Sequence, residues 1–192
     1  MKKITQYIIE RLQLTRDRVQ QYEYFPKTKE ELEDIIDKIT QNHRDDKIID
    51  LNMIDTSKIT DMSRLFELDL YNYDLSQWNV SNVKNMSFMF SGSSFNNDIS
   101  QWDVSNVESM YGMFMNSEFN KDISQWDVSN VENMDVMFRF SKFNQDISDW
   151  DISSVNQMRE IFDGSRFNQD LTSWKSKIKD KKQLQYIQDY IK

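Results

Sequence analysis

The chain has 192 residues, 13% of them aromatic, with 3 Gly, 1 Pro and no Cys; its net charge is −8. That length suits one or two ordinary domains, the aromatic content argues against disorder, and the missing cysteines exclude disulfides, thiolate metal sites, a Cys nucleophile and a cysteine-anchored lipid. The charge is uneven: residues 55–174 carry 8 Lys and Arg against 19 Asp and Glu, which disfavours a phosphate backbone as partner.

In chain order, the first predicted element is a helix over roughly residues 4–13. Glu10 and Arg11 interrupt its apolar run, so it does not read as a secretory leader. No window approaches the ~18 apolar residues of a membrane span, and the expectation is a cytoplasmic protein with no membrane contact. A second helix follows: Thr28 and Glu31 form a capping box, and Leu32, Ile35, Ile36 and Ile39 mark one apolar face. Residues 1–49 thus read as a helical N-terminal cap. His43, in "TQNHRDD", is the single histidine and reads as a solvated loop residue.

From residue 50 the chain repeats itself. Trp78, Trp102, Trp126, Trp150 and Trp174 are spaced by 24 every time, and a fixed period of 20–50 residues means a solenoid or array. The repeats are 55–78, 79–102, 103–126, 127–150 and 151–174, preceded by a half repeat at 50–54 with Ile54 in the Trp position. Within 103–126, Ser105 and Glu108 form a capping box, repeated by Ser129 and Glu132. Val107, Met110 and Phe114 then fall at i, i+3 and i+7, which predicts a helix of about three turns ending near Ser117. Around Ile123 polar neighbours alternate with the apolar residue, predicting a very short strand. Stacked units pair these strands in parallel and bury the Met62, Phe66 and Trp78 columns. The fold class read from this is an α/β repeat, a leucine-rich-repeat-like solenoid of 24-residue coils. Residues 175–192, with 6 Lys against 2 Asp and a Leu184/Ile187/Ile191 stripe, read as a basic C-terminal capping helix.

The unit "FNKDISQWDVSNVENMDVMF" at residues 119–138, with its neighbours 24 residues either side, closely resembles the BspA-like leucine-rich repeats of mycoplasma-type lipoproteins and of bacterial surface proteins. The match covers residues 50–174. The resemblance implies a right-handed solenoid, no catalysis, and a protein-binding or adhesin role; similar repeats also occur in bacteriophage-encoded proteins. No leader of the surface type is expected, and there is no cysteine to carry a lipid anchor, which turns the expectation toward an intracellular, phage-related or virion role.

Little in the sequence carries chemistry. One histidine and no cysteine leave nucleophile pairs nothing to work with, and Gly92, Gly112 and Gly164 are isolated rather than a phosphate loop. No enzyme activity, cofactor or catalytic residue is expected. The column Asp50, Asp74, Asp98, Asp122, Asp146 and Asp170 stacks carboxylates in register. It suggests a row of bound cations or, more simply, carboxylates that accept local backbone N–H groups or the indole four residues on. The Asn72, Asn96, Asn120, Asn144 and Asn168 column reads as a structural ladder.

An unidentified protein is the expected partner, with self-association as a second mode. Positions that vary between repeats are where a scaffold carries function. Phe88, Tyr111, Met115, Val136 and Phe140 form one candidate face, placed on the outward side of the predicted helices. Tyr73, Asn97, Lys121, Gln145 and Gln169 form the rival strand face. The function expected is a non-enzymatic protein-binding scaffold; the alternatives are a virion-associated or self-assembling structural protein, or an adhesin whose leader is missing.

Overall fold

In the computed structural model, which describes residues 22–191, the backbone hydrogen bonds of the repeats run between units rather than within them. Met110, Gly112, Phe114 and Asn116 donate their N–H groups to the carbonyls of Asn133, Asp135, Met137 and Arg139, at 2.7–3.0 Å. Glu108 and Glu132, at the next level, donate backward to Lys84 and Glu108. Isolated parallel bridges link Asp61, Asn85, Ser109, Asn133 and Gln157 in one row. Each 24-residue unit is therefore bonded to the unit before it and the unit after it.

The helix expected in each repeat does not form. The α-helix among the described residues is α1, Lys29–Asn42; the segments equivalent to 110–116 are successive tight turns. Met113 and Ser117 donate back to Met110 and Phe114, closing four-residue turns, and their third residues, Gly112 and Asn116, have φ of 60° and 55°. That is the type II signature. The physical reason lies in the repeat distance. Phe66, Phe90, Phe114, Phe138 and Phe162 stack ring on ring at 5.5–5.8 Å with planes 4–7° apart. Helices pack no closer than about 8–10 Å between axes, so a unit that rises by one ring thickness has no room for one. The i, i+3, i+7 spacing of Val107, Met110 and Phe114 marks the inward residues of a turn row just as well, and all three are fully buried. The capping boxes also dissolve: Ser105 gives its N–H and hydroxyl to Asp103 Oδ1, at 3.1 and 2.6 Å.

Among the described residues the regular strand pairing is confined to β1 (Ile49–Asp50) and β2 (Tyr73–Asp74), parallel and in register. The parallel pairing of short strands expected in every unit is not continued as backbone pairing beyond β2; side chains take over. The Asn column does this: Asn120, Asn144 and Asn168 each donate the backbone N–H to the side-chain oxygen of the Asn one unit earlier, at 2.8–2.9 Å. The tryptophans do the same from inside. Each indole Nε1 donates to a carbonyl 27 residues earlier, as Trp126 does to Ile99 at 3.1 Å. The Met, Phe and Trp columns all face the core.

Both ends of the stack are covered. Thr28 Oγ1 accepts the Glu31 N–H at 3.2 Å and caps α1, which buries Leu32, Ile36 and Ile39. Lys29 Nζ reaches Ser63 Oγ at 3.1 Å and also the Ser63 carbonyl. Tyr24 pairs with Ile54. The helix expected at 4–13 lies outside the described residues. At the other end the expected capping helix is replaced by three short 3₁₀ segments, Thr172–Ser176, Lys181–Tyr186 and Gln188–Tyr190. Tyr190 lays its ring edge-on against Phe162 and Phe167, and Ile187 is fully buried. Lys177 Nζ donates to the carbonyls of Ser148, Asp149 and Trp150, the outermost of them 3.3 Å away.

Candidate functional site

The turn row places two left-handed residues in every unit, four positions apart. One column runs Arg64, Phe88, Gly112, Val136 and Glu160; the other runs Leu68, Gly92, Asn116, Phe140 and Gly164. Side chains here project away from the core, so the Phe88, Val136 and Phe140 of the sequence-derived face do stand outward, on turns rather than on helices. Positive φ suits glycine, and for a β-branched residue such as Val136, at 52°, it is a true outlier.

Large and small residues alternate in these columns for a steric reason. A Cβ on Gly112 would fall 2.6 Å from the Phe88 ring, and one on Gly164 would collide with the ring of Phe140. Each aromatic ring thus lies across the glycine of the next unit. Gly164→Ala is expected to destabilise by about 2 kcal/mol, from the positive φ and the collision together. Phe140→Ala in the same chain should recover the steric part, and thermal melting of the double variant checks it.

The rings are also tied sideways. The Arg64 guanidinium lies 4.4 Å from the Phe88 ring centre, and Phe88 meets Tyr111 edge-on at 4.6 Å. Arg139 lies 4.7 Å from the Phe140 ring centre and pairs with Asp163 and Glu160. Phe88, Met115 and Val136 are half-buried. Tyr111 and Phe140 remain 37% and 53% exposed, and Leu68 and Leu70 are 71% and 79% exposed. Leu68 and Leu70 were missed in the sequence reading. A signal existed: Leu70 stands where later units have Ser94, Glu118, Lys142 and Arg166.

The rival strand face is largely committed to holding the units together. Tyr73 is buried, not exposed: α1 covers the first unit, Thr40 Oγ1 lies 3.4 Å from the Tyr73 hydroxyl, and that hydroxyl donates to Asp69 at 2.8 Å. Burial pushes its phenol well up. Asn97 donates to the Tyr73 carbonyl at 2.6 Å, and Gln145 and Gln169 donate to Asn120 and Asn144 one unit earlier. Lys121 stays exposed. Two grooves open beside this face, about 580 Å³ around Gln77, Asp98 and Gln101 and about 230 Å³ around Gln125, Gln145 and Asp149.

The aspartate column is occupied by its own turns. Asp74, Asp98, Asp122 and Asp146 each accept the backbone N–H two residues on, at 2.9–3.0 Å; the indoles bond elsewhere. Among the described residues no group of three or more His, Asp or Glu side chains is placed to hold a metal ion. His43 Nδ1 lies 2.7 Å from Asp46 in an exposed loop. At Asp98 and Asp146 the amides of Ser100 and Ser148 hold the carboxyl below its usual range; at Asp74 burial acts upward, but the bonds from Ser76 outweigh it. A depressed carboxyl contributes stability above the unfolded value near 4, which is lost as pH falls through the folded value. The melting temperature is therefore expected to hold from neutrality to about pH 5 and to drop below about pH 4. Scanning calorimetry across pH 2–7 reads this, and a rise on acidification contradicts it.

The chain belongs to the family described as Mycoplasma protein of unknown function, DUF285, whose model matches residues 32–139 and 115–189. No curated protein and no solved structure matches it. Among the described residues no helix is long and apolar enough to cross a membrane.

Proposed function

We propose that the chain is a non-enzymatic protein-binding scaffold, a solenoid of the BspA-like leucine-rich-repeat type, that docks a partner on its turn row. The observation that carries this is the exposure of Leu68, Leu70 and Phe140 on an acidic chain in which, among the described residues, the other large apolar side chains are mostly buried, Phe25 and Ile48 at the N-terminal end apart. Leu68 and Phe140 share one column, three units apart, on the order of 15 Å at a strand-like rise. Apolar groups held in water on a rigid frame mark contact surfaces, and aromatic anchors dominate such contacts. A cytoplasmic setting belongs to the same proposal, and the cysteine-free composition is compatible with it.

The test is capture from bacterial lysate by immobilised chain, beside the Leu68→Ser/Phe140→Ser variant. One stoichiometric protein retained by the wild type and reduced at least tenfold on the variant is the expected result. Equal capture by both removes the turn row as the site. Self-association without any captured protein moves the reading to an assembling structural protein.

A further inference from the structure

The two ends of the stack carry opposite charge. At the first end α1 turns Leu32, Ile36 and Ile39 inward. At 3.6 residues per turn, Glu30, Asp34 and Asp37 fall on the opposite, outward face, and all three are exposed. Lys38 only flanks that face, and Lys29 turns the other way, to Ser63 and to Glu33. Among the described residues none of the three carboxylates enters an ion pair. At the other end the covering segment exposes Lys175, Lys179, Lys181 and Lys182 against Asp180 and Asp189. Lys177 is spent on the carbonyls of Ser148, Asp149 and Trp150. The four exposed lysines enter no ion pair among the described residues either.

The two charged faces share a column. Ser63, Ser87, Tyr111, Asp135 and Arg159 recur every 24 residues. The start of α1 is fixed over the first of them by the bond from Lys29 to Ser63 Oγ at 3.1 Å. The 3₁₀ segment Lys181–Tyr186 lies beside the last. A second copy stacked column on column therefore brings its Glu30, Asp34 and Asp37 to the Lys181 end of the first. Within one chain the two faces cannot meet. The units between them hold them on the order of 25 Å apart at a strand-like rise, well past a screening length of about 8 Å at physiological salt.

Complementary charge in register steers association and fixes its geometry. We propose that the chain associates head to tail with a second copy of itself, the acidic outer face of α1 docking on the lysine-bearing C-terminal cap. Such a contact is heterologous: it does not close on itself, and it extends into open filaments. Exposed ion pairs are individually weak and screened by salt, so the assembly is reversible and sensitive to ionic strength. The turn row stays open along the filament, so the assembly goes beyond the docking reading above and does not depend on it.

Sedimentation velocity of the full chain, over a concentration series, is the test. At ~0.1 M salt the sedimentation coefficient is expected to climb steadily with concentration, and at ~1 M salt to stay at the monomer value. Asp34→Lys/Asp37→Lys, exposed changes within α1, should give a monomer at low salt, and so should Lys175→Glu/Lys181→Glu. An equimolar mixture of these two variants should associate again, because each supplies the charge that the other has reversed. Recovery in the mixture also shows that neither variant has lost its fold. Leu68→Ser/Phe140→Ser should assemble like the wild type. A wild type that stays monomeric at low salt up to ~1 mM overturns the proposal and leaves both faces to partners of other kinds. Growth that survives ~1 M salt, a closed dimer that does not grow, charge variants that assemble like the wild type, or a mixture that stays monomeric overturns it equally.

Discussion

Replacing Phe114 with alanine is expected to lower stability by about 3–5 kcal/mol, read as a shift in the denaturant midpoint. Phe114 is fully buried, with ring centres 5.7 Å from Phe90, 5.8 Å from Phe138 and 4.3 Å from Phe119. The cost of such a truncation depends on how far the site can collapse. Here collapse is blocked, because the backbones of the neighbouring rings are pinned: Phe90 donates to Met113, and Phe114 to Met137, both at 2.9 Å. The cavity persists. A domain of this size has about 5–15 kcal/mol in all, and each repeat contacts only its neighbours. The lesion should therefore separate the two halves of the stack and broaden the transition. Melting indistinguishable from wild type would mean that the inward columns have been assigned to the wrong face.

Trp126→Ala is expected to be at least as severe, because it removes a ring and a hydrogen bond together. Trp126 is 4% exposed and lies parallel to Trp102, centres 6.4 Å apart. Loss of the ring is worth about 3–5 kcal/mol. Its Nε1 also donates to the Ile99 carbonyl at 3.1 Å. Leaving that buried acceptor unpaired adds about 1–3 kcal/mol. Trp126→Phe separates the two contributions: most of the apolar volume stays, the donor goes, and a loss closer to the hydrogen-bond figure is expected. The measurement is equilibrium unfolding of both variants followed by far-ultraviolet circular dichroism. If Trp126→Phe were as damaging as Trp126→Ala, the indole N–H and not the apolar volume that Phe retains would be holding the units together.

Much of the candidate site could be read before the structure, though not its support. Comparing equivalent positions across units picked out Phe88, Val136 and Phe140 as outward, because a residue that points into a stacked core must repeat and a residue that points away need not. The same comparison, carried to Leu68 and Leu70, would have found the two most exposed leucines among the described residues. Tyr73 went wrong for another reason. Its place in the repeat is outward in later units, but α1 folds over the first unit and buries it, and no feature of the repeat announces where a cap will lie. The Gln145 and Gln169 amides looked free in sequence, yet they bond sideways to Asn120 and Asn144, a use that exists only when units stack.

The period of 24, the inward Met, Phe and Trp columns, the Asn ladder and the absence of thiol chemistry follow from the residues alone. A repeated residue meets its own copy, and the columns that recur in every unit are apolar, mutually bonding or, like the aspartates, tied to their own turns. The path of the backbone inside each unit was decided by tertiary structure. Val107, Met110 and Phe114 satisfy a helical spacing and a turn-row spacing equally. Ring-on-ring contact at 5.5–5.8 Å sets the rise of the stack, and a helix is too wide to fit within it. The amides consequently bond to the next unit, the turns take up positive φ at Val136 and Phe140, and those residues are presented to solvent.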